Sequence, residues 1–219
     1  MIHYIFSDKT GTLTQNIMEF KRFSVGNFEY GRDDPDPKIE YPLGITNVNF
    51  EDPNYQKHIK TRKHENSVNL KRFFAALGLC HTIIADKKKD KETGEDYIAY
   101  NASSPDELAL VNGARYLGFY FRERDENNNL VCETWDGVRK YKLLNLIEFD
   151  STRKRMTVIV RTPENRILVI TKGADSIIEK RLKPKDKYIA KTQGFLDAYA
   201  KQGLRTLLIA SKQIKDEEY

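Results

Sequence analysis

From Phe119 to Lys172 the chain repeats one pattern five times: a strand-length run rich in β-branched and aromatic residues, followed by a connection of only a few residues. The runs are Phe119–Arg124, Leu130–Trp135, Val138–Phe149, Met156–Thr162 and Arg166–Lys172, and Asn-rich, Asp-Gly and Pro-Glu-Asn turns separate them. Such short connections demand antiparallel neighbours, because a parallel pair needs a crossover of about a dozen residues or more. Helical patterns flank the runs on both sides. The expected fold class is therefore α+β, an antiparallel twisted β-sheet flanked by helices.

One such helix carries Val68, Leu70, Phe73, Phe74, Leu77 and Cys80 at three-and-four spacing, with Asn66 or Ser67 as its cap. Ser104, Pro105, Asp106 and Glu107 predict another: Ser caps, Pro takes the first helical position, and Glu three residues after Ser completes a capping box. That helix runs through Leu108, Val111 and Ala114 and ends at Gly118. A closing helix is expected over Lys187–Gln202 and a last strand over Leu204–Ser211. His81–Ala85 and Tyr97–Asn101 read as a hairpin whose lysine-rich gap, Lys87–Glu95, contains the turn residues Thr93 and Gly94. Upstream, His3–Phe6 reads as a brief strand and Glu19–Val25 as a half-buried one, while Gly31–Asn54, crowded with Asp and Pro, reads as a flexible insert.

Lys plus Arg at 37 against Asp plus Glu at 32 leaves +5 and a pI near 9.0, which favours anionic partners without choosing among nucleic acid, nucleotide and lipid headgroup. Twelve Tyr, eleven Phe and one Trp exclude a chain without a core. The stretch Phe73–Ala85 is free of Asp, Glu, Lys and Arg for 13 residues, short of the ~18 of a membrane span. Cys80 and Cys132 lack ligand spacing and read as core thiols of a reducing, cytosolic compartment. His3, His58, His64 and His81 show no metal-ligand spacing either.

Chemistry concentrates first at Asp8. An aspartate where a strand runs into a Thr- and Gly-rich loop sits among N–H groups and hydroxyls that cradle phosphate, which makes Asp8 a candidate nucleophile. Lys9 adds positive charge, Thr10 a hydroxyl and a carbonyl, and Gly11 close backbone approach. With Thr10 in place of a second Asp, an aspartyl phosphate formed here is hydrolysed slowly.

DKTGTLTQN, from Asp8 to Asn16, resembles the phosphorylation motif of P-type ATPases, and NIMEFKRFSVG, Asn16–Gly26, resembles their phospholipid flippase branch. Four more matches follow in flippase order: SPDELALV from Ser104, EFDSTRKRMTVIV from Glu148, KGADS from Lys172 and GLRTL from Gly203. The resemblance implies a first strand and phosphorylation motif of an incomplete phosphorylation domain at 1–18, then a nucleotide-binding domain at 19–219, with 31–54 its insert. It implies ATP and Mg2+ as cofactors, Asp8 as phosphoryl acceptor with Lys9 and Thr10, and Asp8 and Thr10 as metal contacts. Phe149 would stack on adenine, with Arg153, Lys154, Lys172 and Gly173 lining the pocket, Arg205 near the phosphates and Glu107 on the adenine side. Implied partners are the parent pump's remaining phosphorylation, actuator and membrane domains, its phospholipid substrate and an accessory subunit, at the cytosolic face of a membrane and without nucleic acid. The chain alone would bind ATP without turnover.

The residues also allow plainer readings. Alternation over Leu144, Leu146, Ile147 and Phe149 places Phe149 in the core, and Arg153–Arg155 is a solvated turn. Lys172 fits an ordinary strand end and Glu107 its capping duty. A haloacid-dehalogenase-like phosphatase shares the Asp-initiated loop, but Thr10 and the lack of a later acidic loop weigh against it. A basic nucleic-acid-binding module fits the pI, but the cations are scattered and no RNA-binding signature is present.

Overall fold

A computed structural model describes residues 3–9, 11–33, 39–61 and 64–219. Strands β1 (Phe23–Val25) and β2 (Phe28–Tyr30) form a hairpin, followed by helices α1 (Pro53–Lys60) and α2 (Ser67–Leu79). A second hairpin pairs β3 (Ile84–Lys89) with β4 (Asp96–Asn101), and α3 (Pro105–Tyr116) leads into the main sheet. That sheet contains β5 (Tyr120–Arg124), β6 (Asn129–Thr134), β7 (Gly137–Asp150), β8 (Arg155–Arg161) and β9 (Ile167–Gly173). After α4 (Asp175–Ile178) and α5 (Ile189–Lys201), β10 (Leu208–Ile214) returns beside β9. Order in space repeats order in the chain, six strands all antiparallel, as the short turns require.

Alternation decides what this sheet buries. Met156, Val158 and Val160 on β8 and Ile170 on β9 lie in one apolar core with Leu70, Phe74 and Leu77 of α2 and Val111 and Ala114 of α3. The second half of that core is aromatic. Phe23 lies 4.8 Å from Tyr30, 5.1 Å from Phe73 and 5.5 Å from Phe50, ring centroid to centroid. Each such pair adds about 0.5–1.5 kcal/mol beyond the area it buries.

Four expectations are corrected. The described part of Gly31–Asn54 is packed, with Val48 and Phe50 in the core and Val48 bridged to Phe20; the aromatic cluster needs Phe50 more than the Pro and Asp residues oppose order. Asp34, Pro35, Asp36 and Pro37 of that stretch lie outside the described residues. His3–Phe6 is not a strand, since it has no pairing partner among the described residues, and Tyr4, Ile5 and Phe6 are 81–94% exposed. Only Phe23–Val25 of Glu19–Val25 is a strand. The first strand of the lysine hairpin begins at Ile84 and runs through Lys89, because Asp90 closes the turn itself: its Oδ1 accepts from the N–H of Glu92 and the N–H and hydroxyl of Thr93. No helix of the described residues is long and apolar enough to cross a membrane.

Candidate functional site

The centre of the site is a buried ion pair. Lys172, the next-to-last residue of β9, places its Nζ 3.0 Å from Oε1 of Glu107 in the first turn of α3, with side chains 8% and 10% exposed. Oε2 of Glu107 accepts from the Thr82 hydroxyl at 2.7 Å and the Thr82 N–H at 3.2 Å. Burial pushes the Glu107 carboxyl up, yet Lys172 and the Thr82 hydrogen bonds outweigh it and hold the group below the usual carboxylate range. The capping box expected of Glu107 does not form, and Ser104 makes no side-chain cap either. Glu107 instead commits its two oxygens to the charged hydrogen bond from Lys172 and the two donors of Thr82.

Cross-strand register carries the site outward from this pair. Lys172 lies opposite Met156 of β8 and Ile209 of β10. On β7 the ladder shifts between Ile147 and Asp150, so Glu148 and Phe149 together oppose the single residue Met156. This β-bulge breaks the alternation that would send Phe149 inward. The ring is 64% exposed, which overturns the core reading.

The turn after Phe149 is built around Asp150. Its Oδ1 accepts from the N–H groups of Thr152 and Arg153, and burial is too slight to offset them, so the carboxyl is held low, first by Arg153 and then by Thr152. Lys154 closes the turn at φ +52°, and the Arg153 guanidinium donates back to the Glu148 carbonyl at 3.3 Å. Arg153 therefore stays beside the bulge. Gly173 has a packing duty: a Cβ there would stand 2.4 Å from the Lys154 carbonyl oxygen, which also accepts from Ala174 N–H at 3.1 Å. Arg205 reaches the same corner from the loop before β10, pairing with Asp106 at 3.1 Å beside Glu107.

Glu107, Lys172 and Arg205 thus meet at the start of α3, while Phe149, Arg153, Lys154 and Gly173 cluster around the β7–β8 turn one strand away. An exposed ring followed by Arg153 and Lys154, for which no ion pair is found among the described residues, suits a flat apolar group that carries an anionic tail. Sequence reasoning missed Thr82, Met156 and Asp106. Thr82 was hidden because His81–Ala85 reads as strand, whereas His81 and Thr82 turn a corner after α2. Met156 and Asp106 declare themselves only through register and pairing.

Asp8 and Lys9 are exposed, and Lys9 opens a separate turn. The Lys9 carbonyl accepts from the N–H groups of Leu13 and Thr14, and Gly11 takes φ +80°. No hydrogen bond or ion pair joins these side chains to Phe149, Lys172 or Arg205 among the described residues. Thr10 lies outside them. Asp8 supplies one carboxylate, and no three His, Cys, Asp or Glu side chains among the described residues gather as metal ligands; one carboxylate together with substrate phosphates is a donor set that suits Mg2+.

Comparison with known proteins bears directly on this arrangement. Residues 69–219 match the family model for the P-type ATPase cytoplasmic domain N. The whole chain is 39% identical to phospholipid-transporting ATPase IC of Xenopus tropicalis, 40% to phospholipid-transporting ATPase DRS2 of Saccharomyces cerevisiae and 39% to the human IC protein. It spans 16–18% of the length of these relatives. The meander, the ion pair at α3 and the bulged Phe149 thereby acquire a common setting: the chain belongs to the P-type ATPases, and residues 69–219 form their cytoplasmic domain N.

Proposed function

We propose that this chain holds ATP for a phospholipid-translocating P-type ATPase, with adenine stacked on Phe149 and the phosphates drawn towards Arg205. The single observation that carries this reading is Phe149: a phenyl ring left exposed by a bulge, on the row of the sheet that runs through Met156 to buried Lys172. The ring stands mostly in water at an ordered strand end, where a stacked base would recover part of the about 1.5–3 kcal/mol that burying such a side chain is worth. In this reading Lys172, held by Glu107 at 3.0 Å, offers its charge from a fixed direction, Arg153 and Lys154 follow the ring in the β7–β8 turn, and Glu107 stands on the adenine side.

Asp8 is the phosphoryl acceptor in this proposal, assisted by Lys9 and Thr10, and residues 1–18 complete a phosphorylation domain supplied by the parent pump. The phospholipid substrate follows the names of the relatives and the Asn16–Gly26 continuation. The parent's actuator and membrane domains, an accessory subunit, Mg2+ and a place at the cytosolic membrane face belong to the same proposal. Nucleic acid is not part of this proposal.

Calorimetric titration of the chain with ATP tests the reading. Phe149→Ala should weaken binding by about 1–3 kcal/mol, the usual worth of a stacked base. Equal affinity of the two proteins would remove Phe149 from the site.

A further inference from the structure

Glu107 faces a choice of partners. At the third position of α3 a glutamate ordinarily reaches back to the N–H of the cap residue, here Ser104. Glu107 turns the other way and meets Thr82 and Lys172. We propose that Thr82 is the positioning residue that makes this choice, and that through Glu107 it aims the Lys172 ammonium in the nucleotide site. The inference rests on the nucleotide reading above and adds to it a residue that no sequence motif marks.

The geometry argues for Thr82 in three steps. Both of its donors, hydroxyl at 2.7 Å and N–H at 3.2 Å, fall on the same oxygen, Oε2, which leaves Oε1 free for Lys172 at 3.0 Å. Two donors on one oxygen fix the carboxylate plane, and with it the place of the ammonium.

Thr82 is itself held rigid. His81 Nε2 lies 3.0 Å from the Gly78 carbonyl and its Nδ1 accepts from the N–H of Ile83 at 3.1 Å, so the imidazole carries its proton on Nε2. Burial drives His81 down to about 3, and the Lys172 charge adds to this, so the ring is neutral near pH 7. Cys80 anchors the corner, its Sγ 4.0 Å from the Met156 carbonyl and 3.9 Å from that of Ile170.

Finally, the groups around Glu107 leave the hydroxyl decisive. They are Lys172 on β9, neutral His81, the Cys80 thiol, which burial pushes up to about 11, and Asp106 with its partner Arg205. Without the hydroxyl, Oε2 keeps one backbone donor, and the Ser104 N–H competes for the carboxylate.

The test follows the Glu107 carboxyl by 13C NMR through a pH titration, alongside ATP titration, in wild type, Thr82→Val and Thr82→Ser. Thr82→Val should raise the Glu107 titration midpoint and weaken ATP about tenfold, the loss of one charged hydrogen bond. Thr82→Ser, which restores the hydroxyl, should recover both. An unchanged Glu107 midpoint in Thr82→Val, or a serine variant that behaves like valine, overturns the proposal. Thr82→Ala replaces valine if the latter fails to fold. Failure of wild type to bind ATP would sink the nucleotide reading, while the carboxyl titration would still decide the role of Thr82.

Discussion

Removing the charge of Glu107 would leave the Lys172 ammonium buried with no counter-ion. Breaking a buried pair from one side costs about 3–5 kcal/mol, whereas replacing both partners with apolar groups is often neutral. Glu107→Gln should therefore lower unfolding free energy by about that amount at pH 7, and Glu107→Gln with Lys172→Met should recover most of it, as denaturant melts would show. The pH dependence has a definite sign. A carboxyl whose folded value lies below its unfolded value of about 4.3 contributes its full stability above that pH and loses it as pH falls through the folded value. The gap between wild type and Glu107→Gln should thus be widest near neutrality and narrow below about pH 4.3; a gap independent of pH would mean that Glu107 is not held ionised by Lys172 and Thr82. At this scale the sequence was partly legible. Glu107 and Lys172 announced themselves through motifs, but their pairing did not, because they are 65 positions apart and the capping box offered a nearer use for the carboxylate.

At the scale of elements, strands with clear alternation and turn residues were legible almost to the residue, as β5 to β9 show. Two of the segments that were not show why. Gly31–Asn54 looks like a loop because Pro and Asp dominate it locally, while Phe50 contributes only when Phe20, Phe23 and Tyr55 surround it. The bulge in β7 was equally invisible, since a register shift depends on the partner strand. Phe50→Ala should cost about 3–5 kcal/mol, the range for emptying a buried aromatic site, and thermal or denaturant melting would measure it. A loss below about 1 kcal/mol would return this stretch to the loops. Gly173→Ala should also destabilise, because β8 and the β7–β8 turn must move away from the added methyl.

The whole molecule links stability to occupancy. If ATP binds the folded chain alone, a concentration one hundred times the dissociation constant adds about 2.7 kcal/mol, or roughly 5–10 °C in melting temperature for a chain of this length. Stacking on Phe149 makes that shift sensitive to a side chain that stabilises little by itself, since its ring is mostly in water. Phe149→Ala should therefore melt near wild type without nucleotide yet lose much of the ATP-induced rise. Val138 supplies the control: it lies on the same strand, is 67% exposed, and stands at the far end from the bulge. Val138→Ala should keep the full rise, because truncating an exposed apolar side chain there removes no face for a base. Equal losses in the two variants would trace the effect to β7 as a whole, and the exposed ring would no longer be the nucleotide's seat.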